Sequence, residues 1–272
     1  AAGGAARGPA GSRPPPAARR APAPPPARVV VVTGGSTGIG RAAALAFAEA
    51  GMRVVLASRR AEQGEDAAAE IKEAGGEAQF LACDVTDPAQ VRELFATVRS
   101  THGAVHHAFN NAGVPGDGRL VDLTPEQFDA TFAVNTRGLW LCMREELRMM
   151  AAQGFGSIVN NTSVHGLRTV FPGIGAYVTS KHAAIALTRI GALEHARDGV
   201  RVNAVAPGPI ETEMLAASEA AVGGATTWRG LIPSGVIGTP RQVADVVLWL
   251  FSEASAYVNG QVVAVDGGFL AV

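Results

Sequence analysis

The sequence predicts an α/β fold: one doubly wound, seven-stranded parallel sheet with helices on both faces. Three observations carry this expectation. From Val29 onward, strand-like and helix-like stretches alternate, as they do in a parallel sheet built from crossover units. The strand-like runs are β-branched and lack polar alternation, which suits strands covered on both faces. Glycines gather at the first joint between strand and helix, in VVTGGSTGIG (31–40).

The elements follow in order. RVVVVT (28–33) opens the sheet and leads through the glycines into a helix over 38–51. RVVLAS (53–58) precedes a helix from about 61 to 74, and AQFLAC (78–83) leads to the helical DPAQVRELFATVRS. VHHAFNNAG (105–113) leads, after a loop, to one long helical stretch at 125–153. GSIVNNTS (156–163) precedes a helix from about 176 to 197, and VRVNAVAPG (200–208) and GQVVAVDGG (260–268) supply the last strands. The segment 211–235 carries little periodicity and is expected to be a mobile loop.

Composition narrows the classes. A chain of 272 residues, 47% hydrophobic, fits one large domain with a substantial core. A net charge of −1 gives no nucleic-acid-binding balance. Cys83 and Cys142 make no disulfide framework, so a reducing, cytoplasmic setting is expected. No apolar stretch approaches the ~20 residues of a membrane span. Residues 1–27 are rich in Ala, Pro, Gly and Arg and read as a disordered tail, leaving 28–272 as the domain.

Glycine is costly in regular structure and is favoured where φ is positive or where a ligand lies on bare backbone. A glycine turn from the first strand into the first helix aims N–H groups and the helix dipole at an anion. Gly34, Gly38 and Gly40 are spaced G-x-x-x-G-x-G, with Ser36, Thr37 and Ile39 among them. The spacing departs from G-x-G-x-x-G, but its place on the first strand of an alternating chain suits a dinucleotide. The end of the second strand then reads the adenosine ribose. A carboxylate there suits the free hydroxyl of NAD, and a basic residue suits the extra phosphate of NADP. Ser58 stands at that place, followed by Arg59 and Arg60. NADP(H) is therefore favoured, with NAD(H) possible. Arg59 is expected to supply most of the effect, with Arg60 turned into the helix.

Tyr177 and Lys181 sit four apart on one helical face. An ammonium beside a phenol is expected to lower its pKa from about 10, letting it exchange a proton with an alcohol or carbonyl. The chain has only two lysines, Lys72 and Lys181, yet keeps one here.

With TGGSTGIG, CDV (83–85), NNAG (110–113), VNT (134–136), SIVNNTS (157–163), YVTSK (177–181) and PGPIET (207–212) in order, the chain resembles the short-chain dehydrogenase/reductases over about residues 28 to 272. The resemblance is to their compact branch. It implies a single-domain Rossmann fold, with a cofactor half at about 28–160 and a catalytic and substrate half at about 161–272. It implies hydride transfer between a nicotinamide and a secondary alcohol or ketone. Tyr177 would be the general acid/base, Ser163 would hold the substrate oxygen, and Lys181 would tune Tyr177 and fix the ribose. Asn135 would hold a relay water through its backbone. Asp84 and Val85 would meet the adenine, and Asn111, Ala112 and Gly113 would lie beside the cofactor. Pro207, Gly208, Ile210 and Thr212 would position the carboxamide. The resemblance also implies a homotetramer, or a homodimer, built on the long helices. No metal, nucleic acid or membrane is expected as a partner.

The substrate pocket is expected from loop 114–120, residues 164–174 and the segment 211–235. Val164, His165, Leu167, Phe171, Met214, Leu215 and Trp228 make it mostly apolar. His165 reads either as a hydrogen-bond donor in the pocket or as a loop residue. A hydrophobic cyclic or aliphatic alcohol or ketone is expected first, then a sugar, then an acyl group on a carrier protein. A non-catalytic nucleotide sensor on the same fold would be expected to lack part of the set Asn135, Ser163, Tyr177 and Lys181.

Overall fold

The computed structural model describes residues 27–272 except 170 and 223–224, without the side chains of 219–227. The expected tail lies outside the described residues up to residue 26. The strands are β1 (Val29–Thr33), β2 (Arg53–Ser58), β3 (Glu77–Ala82), β4 (His107–Asn110), β5 (Gly156–Asn161), β6 (Val200–Pro207) and β7 (Val262–Val265). They form one seven-stranded sheet in the order β3-β2-β1-β4-β5-β6-β7, and each adjacent pair is parallel. The expected Rossmann-type α/β architecture is thus present.

Side chains alternate along each strand, so β1 feeds two cores. Val29 and Val31 join Phe95, Leu141, Met143 and Ile158 on one face. Helices α3 (Pro88–His102), α5 (Leu139–Gln153) and α6 (Gly175–His195) cover this face. Val30 and Val32 join Phe47, Leu56, Ile71, Phe109 and Leu250 on the other. There α1 (Gly38–Glu49), α2 (Ala61–Glu73) and α9 (Pro240–Phe251) lie over the sheet. The chain winds outward from β1 to β3 and, in the opposite direction, from β4 to β7. The crevice between the carboxyl ends of β1 and β4 is therefore the topological switch point, where such sheets bind ligands.

Three features differ from the sequence reading. The segment 211–235 contains helices α7 (Glu213–Val222) and α8 (Ala225–Leu231) instead of a continuous loop. Its alanines favour helix without marking a face. Helix α9 was not anticipated, although its start is well encoded. Thr239 Oγ1 accepts from Gln242 N at 3.4 Å, Gln242 Oε1 accepts from Thr239 N at 2.8 Å, and Pro240 follows at the first helical position. The long helix expected at 125–153 is three pieces: α4 (Pro125–Phe132), a π-helical turn (Ala133–Gly138) and α5. Gly138 closes that turn against Val85, where a Cβ would meet the Val85 side chain at 2.8 Å. Among the described residues, no helix is long and apolar enough to cross a membrane.

Candidate active site

At the switch point the turn after β1 rests on the loop after β4. Gly34 has φ +63° and Gly38 has φ +53°, a region that suits glycine. A Cβ on Gly34 would lie 2.9 Å from Ala112 Cα, and one on Gly40 would fall on the carbonyl of Gly34. Thr33 Oγ1 accepts from Asn111 N at 3.1 Å and Ala112 N at 3.2 Å. Asn111 Nδ2 donates to Gly34 O at 3.0 Å, and Asn161 Nδ2 donates to Asn111 Oδ1 at 2.8 Å. Three strand ends are thereby joined in one frame. Thr37 precedes α1 without capping it through its side chain, so the first N–H groups of the helix stay open to the cleft. A glycine-rich turn beneath an uncapped helix start fits the pyrophosphate of a dinucleotide.

The end of β2 corrects one expectation. Arg60 does not turn away into α2: its guanidinium donates to Thr37 Oγ1 at 2.5 Å and lies 3.5 Å from Glu213. Arg59 instead approaches Asp84 at 3.9 Å. Ser58 Oγ donates to the Arg60 carbonyl at 3.3 Å. Asp84 Oδ1 accepts from the Thr86 amide and hydroxyl at 2.9 and 2.8 Å, which fixes its carboxylate at the cleft edge. Beyond β6, Gly208 passes so close to Asp266 that a Cβ would lie 2.9 Å from its Cα. Thr212 Oγ1 donates to Ile210 O at 3.2 Å and its methyl faces Gly38.

The chemistry-bearing side chains meet on the cleft floor. Ser163 follows β5 and is buried. Its Oγ accepts from His165 N at 3.1 Å and lies near enough to the Tyr177 phenol to hold its pKa down. Lys181, one turn along α6, is buried and donates from Nζ to the Asn161 carbonyl at 2.9 Å. Its ammonium lies 5.5 Å from the centre of the Tyr177 ring. Burial lowers Lys181 to about 8 and raises the Tyr177 phenol above its usual value. Ser163 beside the phenol pulls Tyr177 down and Asp117 adds to the rise. This corrects the expected lowering of Tyr177 by Lys181. Both groups are desolvated, and the ammonium is directed at a carbonyl.

Asn135 sits on the π turn. Its Oδ1 accepts from Val114 N at 2.8 Å, and its Nδ2 donates to Val114 O at 2.9 Å and Ser180 Oγ at 3.1 Å. Ser180 Oγ in turn donates to the Tyr177 carbonyl at 2.7 Å. Asn135 thus ties the loop after β4 to the helix bearing Tyr177. Val114 and Asp117 belong to the expected loop 114–120, whereas Ser180 and Asn161 were missed as site residues. Those two act through a neighbour or a main-chain carbonyl, and no residue pattern signals that.

These groups line a cleft of about 630 Å³ running from Gly34 and Arg60 to Trp228 and Phe269, within the usual range for a cofactor or small-molecule site. Every predicted cofactor residue lines it except Gly40, which lies beneath the turn, and so does each predicted pocket residue except Leu167. Asn135 stands behind the wall.

Residues 34–270 match the family described as Enoyl-(Acyl carrier protein) reductase. The 2,5-dichloro-2,5-cyclohexadiene-1,4-diol dehydrogenase of Sphingobium indicum is 37% identical over 243 residues, covering 88% of this chain and 96% of its own. The crystal structure of levodione reductase superposes with a TM-score of 0.88 at 35% identity, covering 90% of this chain and 98% of its own. An actinorhodin polyketide ketoreductase solved with NADPH gives 0.86 at 32% identity, with 89% and 97% covered. The parallel sheet, the glycine turn at its switch point and these likenesses lead to one conclusion: the chain belongs to the short-chain dehydrogenase/reductase family, NAD(P)-dependent oxidoreductases acting on CH–OH groups.

Proposed function

We propose that this enzyme interconverts a small cyclic secondary alcohol and its ketone, with NADP(H) preferred over NAD(H). The observation that carries the reading is the meeting of Ser163, Tyr177 and Lys181 on the floor of one mostly apolar cleft. The dinucleotide would rest on Gly34–Gly40, with Asp84 and Val85 at the adenine and Pro207–Thr212 at the carboxamide. Bound nicotinamide supplies the hydride chemistry, and the protein supplies orientation and proton transfer. Ser163 holds the substrate oxygen. Tyr177 gives or takes its proton. Burial favours the protonated phenol, which suits donation to a carbonyl oxygen, and Lys181 would fix the ribose of the bound dinucleotide.

The pocket wall supports the choice of a ring substrate. Val164, Phe171, Leu215, Trp228 and Phe269 belong to one apolar cluster. The dehydrogenase named above acts, by its name, on a cyclohexadiene diol, a six-membered ring. Exposed Ile190 and Leu193 on α6 and Trp140 on α5 support assembly through the long helices as a tetramer or dimer. The test is a screen of cyclic alcohols and ketones with both cofactors, followed by cofactor absorbance. Turnover confined to sugars, or none with any ring ketone, counts against the reading.

A further inference from the structure

His165 opens a question that the reaction chemistry does not use. Its backbone N–H is fixed on Ser163 Oγ at 3.1 Å, so the imidazole hangs at a set distance from the hydroxyl that holds the reacting oxygen. The ring packs edge-on to Tyr177 (6.4 Å between centres), Phe171 (5.8 Å) and Phe269 (6.4 Å). Nδ1 is buried with no partner. Nε2 has no protein partner among the described residues either, but it is not buried and opens on the cleft.

A neutral imidazole carries one N–H and one lone pair. Orphaned buried N–H groups are rarer in native structures than under-satisfied acceptors. The proton is therefore assigned to Nε2, the nitrogen facing the cleft. Burial lowers the imidazole to about 4, so it is uncharged at neutral pH. Of the charged side chains lining the cleft, Asp117 and Lys181 stand on the Tyr177 side, whereas Glu213 pairs with Arg60 at the other end. An uncharged N–H donor among aromatic rings suits a neutral oxygen.

Resting on the ring-alcohol reading above, we infer that His165 is a specificity-determining residue whose Nε2–H binds a second, neutral oxygen of the substrate. The preferred substrates are thus ring ketones and alcohols carrying two oxygens. A substrate with one oxygen leaves the donor unpaired once the ring displaces water, whereas a second hydroxyl or carbonyl satisfies it.

The test compares 4-hydroxycyclohexanone with 4-methylcyclohexanone, and 2-hydroxycyclohexanone with 2-methylcyclohexanone. Each pair has similar shape and differs in the second oxygen. In the wild type, kcat/KM for at least one hydroxylated member should exceed that of its methyl partner about tenfold, the upper range for one neutral hydrogen bond. In His165→Phe that ratio should fall to about one, and His165→Gln, which keeps an N–H donor, should restore part of it. Because the ratio is taken within each variant, any general loss of activity cancels. Ratios near one in the wild type overturn the inference, and so does a ratio that survives in both variants. No turnover of any of the four compounds with either cofactor overturns the ring-alcohol reading itself.

Discussion

The Arg60 guanidinium donates to the Thr37 hydroxyl at 2.5 Å, tying the end of β2 to the glycine turn after β1. Thr37 immediately precedes Gly38 in that turn. Arg60 brings a positive charge to that spot from the neighbouring strand. With Arg59 beside it, two charge-assisted contacts of ~1.5 kcal/mol each correspond to roughly a hundredfold preference for NADP(H). Arg60→Ala and Arg59→Ala should each lower kcat/KM with NADP(H) about tenfold and spare NAD(H). Ser58→Asp should move the preference toward NAD(H). Equal or better use of NAD(H) by the wild type would contradict this assignment.

Tyr177→Phe removes the proton-transferring hydroxyl and leaves the ring packing against His165. Its kcat should drop at least ~100-fold, the scale of one general acid/base group, with an unchanged far-UV spectrum and intact dinucleotide binding. Near wild-type turnover would place the proton transfer elsewhere.

Glu146 gives a pH-dependent stability. It is fully buried on α5, where Oε2 accepts from Asn110 Nδ2 at 2.9 Å and Oε1 has no partner. Burial raises its carboxyl to about 8, against one opposing hydrogen bond from Asn110. The folded state therefore keeps a proton that the unfolded chain releases near pH 4.3. Between those values the folded state binds more protons, so stability falls as pH rises, by up to ~1.4 kcal/mol per unit, and levels off above about 8. Glu146→Gln cannot ionise. Its stability relative to the wild type should rise between pH 5.5 and 8 in urea titrations. A constant difference across that range would show that Glu146 titrates normally.

Gly40→Ala tests the packing beneath the turn. A Cβ there would fall on the Gly34 carbonyl, which is backbone and cannot swing aside. The variant should lose ~1–3 kcal/mol of stability, as overpacked sites do, and bind dinucleotide more weakly. An unchanged melting temperature would mean that the turn yields freely.

The strands were legible because buried β-branched runs such as VVVVT and RVVLAS read the same in sequence and in space. Tyr177 and Lys181 were legible because a spacing of four on one helix sets their meeting, whereas Ser163 came through the resemblance alone. Arg60 was misjudged because a long side chain at the start of a helix can take either direction, and its partner Thr37 lies in the turn after another strand. The helices within 211–235 were missed because a run such as AASEAAV has helix propensity but no apolar stripe to separate it from a loop. The break at 133–138 is hidden for a different reason: AVNTRG is compatible with α-helix, and only contact with Val85 and Val114 shows the wider turn.

That wider turn acts as a phase shift. It holds about one residue more than the α-helix it interrupts, so α4 and α5 cannot be drawn on a single helical wheel. Removing one residue there would restore unbroken α-helical bonding and yet rotate α4 by about 100° relative to α5. Asn135 would then leave Val114 and Ser180. A shortening that improves local helix geometry would therefore dismantle the joint behind Tyr177. In this stretch, chain length itself is under constraint, independently of which residues fill it.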